Sequence, residues 1–571
     1  MDLRKFCKTY KYDIVCILLI ILMFTICSYL LWGYFGSILY DCGREAYLPQ
    51  LILEGKILFK DIFGMYNPLS YQINALLYLI FGINLNVLYF AGTINAFLQL
   101  LCLYFICRQF VSEKYSTGFI LFIMLVVIFN SHNDTNNIFP YAFAMAYATT
   151  AMLYSALCGL LYLKYHKSVY IILSFLLLGI SLANKPEFVL CAVPHILLLI
   201  YGKEKFATWI FSVSGFILPT VISYGILFLQ GFTFNDFTNY ISFIHNFFDT
   251  PEQKLYNQRL YGIDSWIYML KNSLFIAILF ILPKLISSLL KRNKLYIILF
   301  IVLAILLFSS FVKFAVSLSF YVSWTCIVCF WVLYWAFKNK NIPLCYLSTF
   351  AILSCSRLWF NLTCGYGLFL GLLTLSICLI YLFKYKNSKY FDTNVKKLIM
   401  VLLILFGIIT YGANFYLKHR DYIKVETSDK NTVLYESKKY VVPFNNTVSW
   451  ILQNTKPDDA VLVLPEGLFI NYITKRPTNP KYYHLIPNHI SALGEDNIVK
   501  DLSENLPNYI ILNNVSYEAY GAKYICENFG FKICSVINDN YELVETYSSH
   551  HVPKYHKDPF YMKIYKLKNN Q

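Results

Sequence analysis

The sequence predicts a mainly α membrane protein: a bundle of about thirteen spans over residues 1–417, then a smaller α/β domain over residues 418–571 outside the membrane. Three observations predict it. Of 571 residues, 58% are hydrophobic and only 14% charged, too apolar for a chain that hides its hydrophobic side chains in a core in water. Apolar runs suited to a hydrocarbon layer of about 30 Å recur from residue 14 to residue 417. From about Arg420 the composition becomes that of a soluble domain.

Ile14 to Phe35 is the first run. Arg4, Lys5, Lys8 and Lys11 precede it and no small-residue cleavage site follows, so it reads as a retained helix with a cytoplasmic N-terminus. Further runs lie near 87–107, 116–131, 140–163, 169–183, 187–201, 206–230, 266–289, 295–311, 315–336, 342–356, 358–383 and 398–417. Pro68 to Gly82 is read as lying in or re-entering the interface, because counting it as a span places Arg108 and Lys114 outside and inverts every later basic loop. On this reading the inner loops before residue 418 carry 20 Lys and Arg and the outer loops 8. That asymmetry orients helices, and an odd number of spans delivers the tail to the outer side of the cell membrane. It also accounts for much of the net charge of +16, so no nucleic-acid partner is expected.

In the tail, helical and strand-like runs alternate: Thr447 to Asn454 as a helix, Ala460 to Leu464 as a buried strand, Gly467 to Thr474 as a helix. Glu495 to Asn505, Tyr509 to Leu512, Tyr517 to Phe529, Phe531 to Ile537 and a final strand near Tyr561 to Leu567 follow. Continuous apolar strands such as Val461 to Leu464 predict a mostly parallel sheet covered on both faces. No Gly-rich phosphate loop follows any strand, and the chain contains no Asp-x-Asp pair of the kind that holds a metal for nucleotide sugars. A lipid-carried donor fits better. Fourteen of the sixteen cysteines precede residue 420, mostly inside apolar runs where a thiol acts as a small hydrophobe. Cys326 and Cys329 form a CxxC with no second pair, so no metal site is expected there. Cys526 and Cys534 in the tail can pair or stay free.

Carboxylates concentrate outside, ten of the fifteen before residue 418, and four of them, Asp41, Glu45, Glu54 and Asp61, fall in the first outer loop (36–86). A second long outer loop (231–265) holds Asp236, His245, Asp249, Glu252, Lys254 and Arg259, and both loops can pack together as a lid on one cavity. The first loop reads Tyr40-Asp41-Cys42-Gly43-Arg44-Glu45, then Leu53-Glu54-Gly55-Lys56, Lys60-Asp61-Ile62-Phe63 and Tyr66-Asn67-Pro68-Leu69. It resembles the opening of polytopic glycosyltransferases of the C superfamily (GT-C), in particular bacterial relatives of protein O-mannosyltransferases and of the lipid A aminoarabinose transferase. The resemblance is specific over about residues 35–110, weaker at Asn184-Lys185-Pro186-Glu187 and architectural elsewhere. It implies a sugar moved from a polyprenyl-phosphate donor in the membrane lipid to an acceptor hydroxyl on a glycan, lipid or protein, with inversion at the anomeric carbon. It also implies an acid just past the first span as base. Two positions depart from the pattern: Asn67 stands where the aminoarabinose transferase has a lysine, and Asp134 is only the nearest carboxylate to the second family acid.

Asp41 is therefore the expected general base, set against an N-cap role for the same side chain. Glu45, four residues on, can orient the base or bind the acceptor, while Arg44 pairs with an acid. Asp61 can hydrogen-bond sugar hydroxyls or cap the segment before Pro68. Lys185 and Glu187 sit at a span boundary, where a charge costs about 3 kcal/mol or more unless it faces water or a partner. Lys185 is expected on the lipid phosphate with Glu187 holding it, and Arg259 is a second phosphate candidate. Tyr47, Tyr66, Tyr71 and Trp266 read as an interfacial belt, and Tyr482, Tyr483 and His484 as part of an acceptor surface. No cofactor is expected, with a divalent cation at the departing phosphate left open. The rival reading is a polytopic transporter or lipid-linked sugar flippase.

Overall fold

The computed structural model describes residues 3–129, 135–263, 322–359, 364–385, 392–427, 432–549 and 559–568, with 266, 267, 270 and 361. Among them, six helices are long and apolar enough to cross a membrane: Lys11–Leu30, Leu85–Arg108, Phe143–Tyr165, Phe206–Leu229, Gly367–Tyr385 and Thr393–Asp421. Shorter apolar helices, among them Ser168–Asn184, Pro186–Tyr201 and Ile342–Ser354, pack between them. The expected spans 266–289, apart from residues 266, 267 and 270, and 295–311, together with Asp134, lie outside the described residues.

Two contacts set the level of the helix ends. Arg108 Nε lies 2.6 Å from Asp13 Oδ1, and Tyr104 donates to the same oxygen at 2.6 Å. The start of the first span and the end of the Leu85–Arg108 helix are therefore side by side, which requires an even number of crossings between them. The Leu69–Phe81 helix, 13 residues long, consequently does not cross. It lies against the helices Cys42–Leu53, Phe143–Tyr165 and Phe206–Leu229 instead. At the opposite end, Lys418 donates from Nζ to the Tyr34 carbonyl at 2.5 Å, so the last long helix ends beside the outlet of the first. The tail thus emerges on the same side as the Asp41 loop.

The tail begins with a short antiparallel ribbon, β1 (Tyr422–Lys424) with β2 (Tyr435–Ser437). Its main sheet holds β3 (Val461–Leu464), β4 (Tyr509–Asn513), β5 (Tyr541–Ser548) and β6 (Tyr561–Leu567) in the order β3-β4-β6-β5. The expected mostly parallel sheet is corrected here. Only β3 and β4, joined through helices, run parallel, whereas β6 is antiparallel to both β4 and β5. Parallel neighbours need a crossover and a hairpin does not, which is how β5 and β6 pair. Strand β5 was not foreseen because most of its residues are exposed and its apolar residues do not alternate. Residues 517–529 hold a single 3-10 turn, Glu518–Tyr520, and Phe531–Asn540 is a helix. Cys526 and Cys534 are joined in a disulfide.

The tail rests directly on the first loop. The Phe469–Thr474 helix packs on the Cys42–Leu53 helix, and a Cβ at Gly43 would lie 2.3 Å from the Phe469 backbone nitrogen, so only glycine permits the contact. The two outer loops close on each other, with the Phe59 and Tyr240 rings 4.0 Å apart and Phe63 edge-on to Phe243 at 5.1 Å. Tyr483 donates to the Phe63 carbonyl, and Asn488 Nδ2 to Gln253 Oε1 at 2.8 Å.

Candidate active site

Asp41 occupies the N-cap position of the Cys42–Leu53 helix, yet its side chain makes no capping bond. Its Oδ1 lies 2.7 Å from Arg44 Nη1. Arg44 is almost wholly buried, donates from Nη2 to the Tyr141 carbonyl at 3.1 Å and lies 3.4 Å through Nε from Glu45 Oε1. Glu45 accepts the Phe143 N–H at 2.9 Å. Burial pushes its carboxyl up to about 7, against the pull of the adjacent Arg44. Glu45 is thereby an internal brace between the loop and the start of the Phe143–Tyr165 helix.

Tyr66 links this corner to the next cation. Lys185 Nζ lies 3.8 Å from the centre of the Tyr66 ring, with the Arg44 guanidinium 5.0 Å from the same ring. Lys185 follows the last residue of the Ser168–Asn184 helix, and burial lowers its ammonium to about 8 despite Glu187 nearby. Glu187 accepts from Arg357 Nη1 at 2.6 Å, and the Arg357 guanidinium lies 4.8 Å from the Tyr366 ring. Glu187 and Arg357 are deep in the protein, and each retains about a fifth of its surface, 20% and 19%. Tyr66, Tyr256, Tyr366 and Tyr520, all partly accessible, lie around Lys185 and Arg357. Tyr256 stacks on Tyr520 at 4.6 Å and hydrogen-bonds Tyr366.

A further set of side chains beside Asp41 comes from the tail. His484 Nε2 lies 3.0 Å from Glu466 Oε2 and 3.8 Å from Asp41 Oδ1. Tyr517 donates to Glu466 Oε1 at 2.6 Å. His489 Nδ1 lies 2.9 Å from both the His484 carbonyl and His484 Nδ1. A carbonyl only accepts, so His489 Nδ1 carries the hydrogen and His484 Nδ1 receives it. The proton of a neutral His484 is then on Nε2, aimed at Glu466.

Asp41, Glu466 and His484 are also the one group of three ligand-type side chains close enough to hold a metal ion among the described residues. The donor set suits a divalent cation in kind. The contact with His489 favours the tautomer with a hydrogen on the nitrogen a metal would need, so an ion would bind there only by displacing that proton.

Of the residues expected from the sequence, Asp41, Glu45, Lys185 and Glu187 converge here. Two do not. Asp61 accepts the Ile57 N–H at 2.8 Å and closes its own exposed turn. Arg259 donates to the Glu518 carbonyl and lines a separate cavity of about 420 Å³ with Glu518, Lys523 and Asn528. Glu187 pairs directly with Arg357, where Lys185 was the expected partner. Tyr66 and Tyr71 belong to the site and not to a belt, whereas Trp266 is exposed. Arg357 was missed, although a lone guanidinium between two apolar runs carries the same signal as Lys185. Glu466 carried no sequence signal at all.

No family model matches the chain, and no curated protein does. Solved structures do. The chain is similar to ArnT from Cupriavidus metallidurans bound to undecaprenyl phosphate, at 9% identity and TM-score 0.48, over 97% of this chain and 98% of that one. It is also similar to the oligosaccharyltransferase AglB from Archaeoglobus fulgidus, in complex with an inhibitory peptide and a dolichol-phosphate. There the identity is 11% and the TM-score 0.46, over 99% of this chain and 75% of that one. Both are GT-C glycosyltransferases, the superfamily that the first loop resembles. At these scores the likeness carries no argument, and the chemistry stands on the residues themselves.

Proposed function

We propose that the chain is an integral membrane glycosyltransferase that moves a sugar, hexosyl in type, from a polyprenyl-phosphate donor to an acceptor hydroxyl on the outer face of the membrane. The observation that carries this reading is the convergence of an anchored carboxylate, Asp41, with the cations Lys185 and Arg357 around a common set of tyrosines. Arg44, which holds Asp41, and Lys185 share the Tyr66 ring, and Arg357 lies against Tyr366. Glycosyl transfer needs those two elements, a base for the acceptor proton and positive charge for the departing phosphate. Asp41 takes the proton as the acceptor oxygen attacks the anomeric carbon. The bond from that carbon to the phosphate oxygen breaks, and Lys185 and Arg357 meet the charge left on the lipid phosphate. Tyrosine faces suit the apolar face of a sugar ring.

The outer orientation follows from the excess of Lys and Arg in loops assigned to the inside, and a disulfide in the tail suits an oxidising compartment. Deleting the gene is expected to remove one sugar from the surface glycans and to raise the pool of polyprenyl-phosphate sugar. Mass spectrometry of both fractions, with rescue by the intact gene, is the test. Unchanged profiles in both fractions would rule the proposal out.

Lys185 gives the reaction a pH signature. Its ammonium is present below about 8 and is lost as pH rises through that value. Donor capture, measured as kcat/KM at limiting lipid-linked sugar, should decline above about pH 8. In Lys185→Met the rate should be low throughout and that alkaline limb absent.

A further inference from the structure

We infer that the C-terminal domain is part of the catalytic machinery: Glu466 and His484 hold Asp41 in register and determine which of its oxygens takes the acceptor proton. This rests on Asp41 acting as the base. Arg44 Nη1 at 2.7 Å and His484 Nε2 at 3.8 Å both face Oδ1. In both contacts Oδ1 is the nearer oxygen, which leaves Oδ2 on the far side of them. A carboxylate tethered through one oxygen presents the other, and Asp41 keeps a quarter of its surface accessible for that purpose.

The tail is built to hold the tether. His484 presents a hydrogen on the side of Asp41 and Glu466 only if its proton is on Nε2, and His489 favours that tautomer. Burial keeps the His489 ring itself neutral, well below the usual imidazole range. Glu466 fixes the His484 ring and is in turn held by Tyr517 through Oε1 and by Asn513 through its backbone carbonyl. Both Glu466 and His484 are nearly buried, at 6% and 5% accessible. Setting a buried carboxylate near a second one opposes stability unless an N–H separates them, and the His484 hydrogen is placed to do so. At 3.8 Å His484 Nε2 is beyond hydrogen-bond reach of Asp41, its hydrogen going to Glu466, and its hold on Asp41 is electrostatic. The proton balance is simple: the acceptor hydroxyl gives its hydrogen to Oδ2, and His484 and Glu466 keep their own states. Asp41 is faced by Arg44 and Glu45 from its own helix, by Tyr66 from its loop, and by Glu466, His484, Tyr517 and Tyr520 from the tail.

The test uses the full chain in lipid nanodiscs with a polyprenyl-phosphate hexose as probe donor. His484→Leu is expected to lower kcat by about 10- to 100-fold, the cost of a misplaced base, with the donor KM within about twofold. His484→Gln, which restores an N–H near the Nε2 position, should recover most of the rate. Glu466→Gln removes a like charge near Asp41, which then ionises more readily, so the acid limb of kcat/KM should move to lower pH. A normal rate in Asp41→Asn would sink the base and this inference with it. With Asp41→Asn inactive, normal turnover in His484→Leu and an unmoved limb in Glu466→Gln overturn the tether alone. Turnover abolished by a chelator and restored by Mn²⁺ would overturn it too, because the three side chains would then be ligands.

Discussion

Asp41→Asn should lower turnover by about 10²- to 10⁴-fold, the usual contribution of a general base, while the protein still inserts, folds and binds donor. The substitution is nearly isosteric and keeps an oxygen for Arg44, which also bonds the Tyr141 carbonyl and lies against Glu45. What is lost is the capacity of the second oxygen to take a proton. Single-turnover kinetics with a polyprenyl-phosphate hexose would separate this from a binding defect, and a rate within a few-fold of wild type would remove Asp41 from the chemistry. Glu45 is a poor substitute. It is fully buried, and both of its oxygens are committed, to Arg44 and to the Phe143 N–H.

Gly43→Val should also be damaging, by another route. The added Cβ would meet the Phe469 nitrogen at 2.3 Å, with the Leu468 carbonyl carbon and the Phe469 Cα at 3.0 Å. All three are backbone atoms of the tail, so no side chain can swing aside, and overpacking of this kind costs about 1–3 kcal/mol. The tail must lift from the Cys42–Leu53 helix, taking Glu466 and His484 away from Asp41. Turnover is expected to fall by about 10-fold or more, and limited proteolysis at the seam between tail and bundle to quicken. Gly225→Ala, whose Cβ would meet nothing within 4 Å, is the control and should change neither. Normal proteolysis and rate in Gly43→Val would show that the tail's seat on the first loop is not required.

Much of the bundle was legible because a span announces itself locally. Twenty apolar residues in a row mean the same thing wherever they fall in the chain. Lys185 and Glu187 were legible for the inverse reason, since charge beside an apolar run needs a partner or water. Arg357 obeyed the same rule and was passed over. Asp61 and Arg259 misled because an acid or a guanidinium in an outer loop is equally at home closing a turn or seating a neighbouring loop. Which of these it does depends on atoms far away in sequence. Strand β5 was hidden by its exposure, and the direction of β6 by the absence of any local mark that separates a hairpin from a crossover.

The sequence by itself determined the helical bundle, the soluble tail beyond it and the acid at the outlet of the first span. Each follows from composition and from neighbours a few residues apart. Only the tertiary structure decided that Glu466 and His484, more than 400 residues downstream, stand beside that acid. It also decided that Arg357, and not Arg259, lies beside Glu187. Proximity between such distant residues comes from how the tail seats on Gly43 and on Phe63, and packing of one surface against another leaves no pattern in a linear chain.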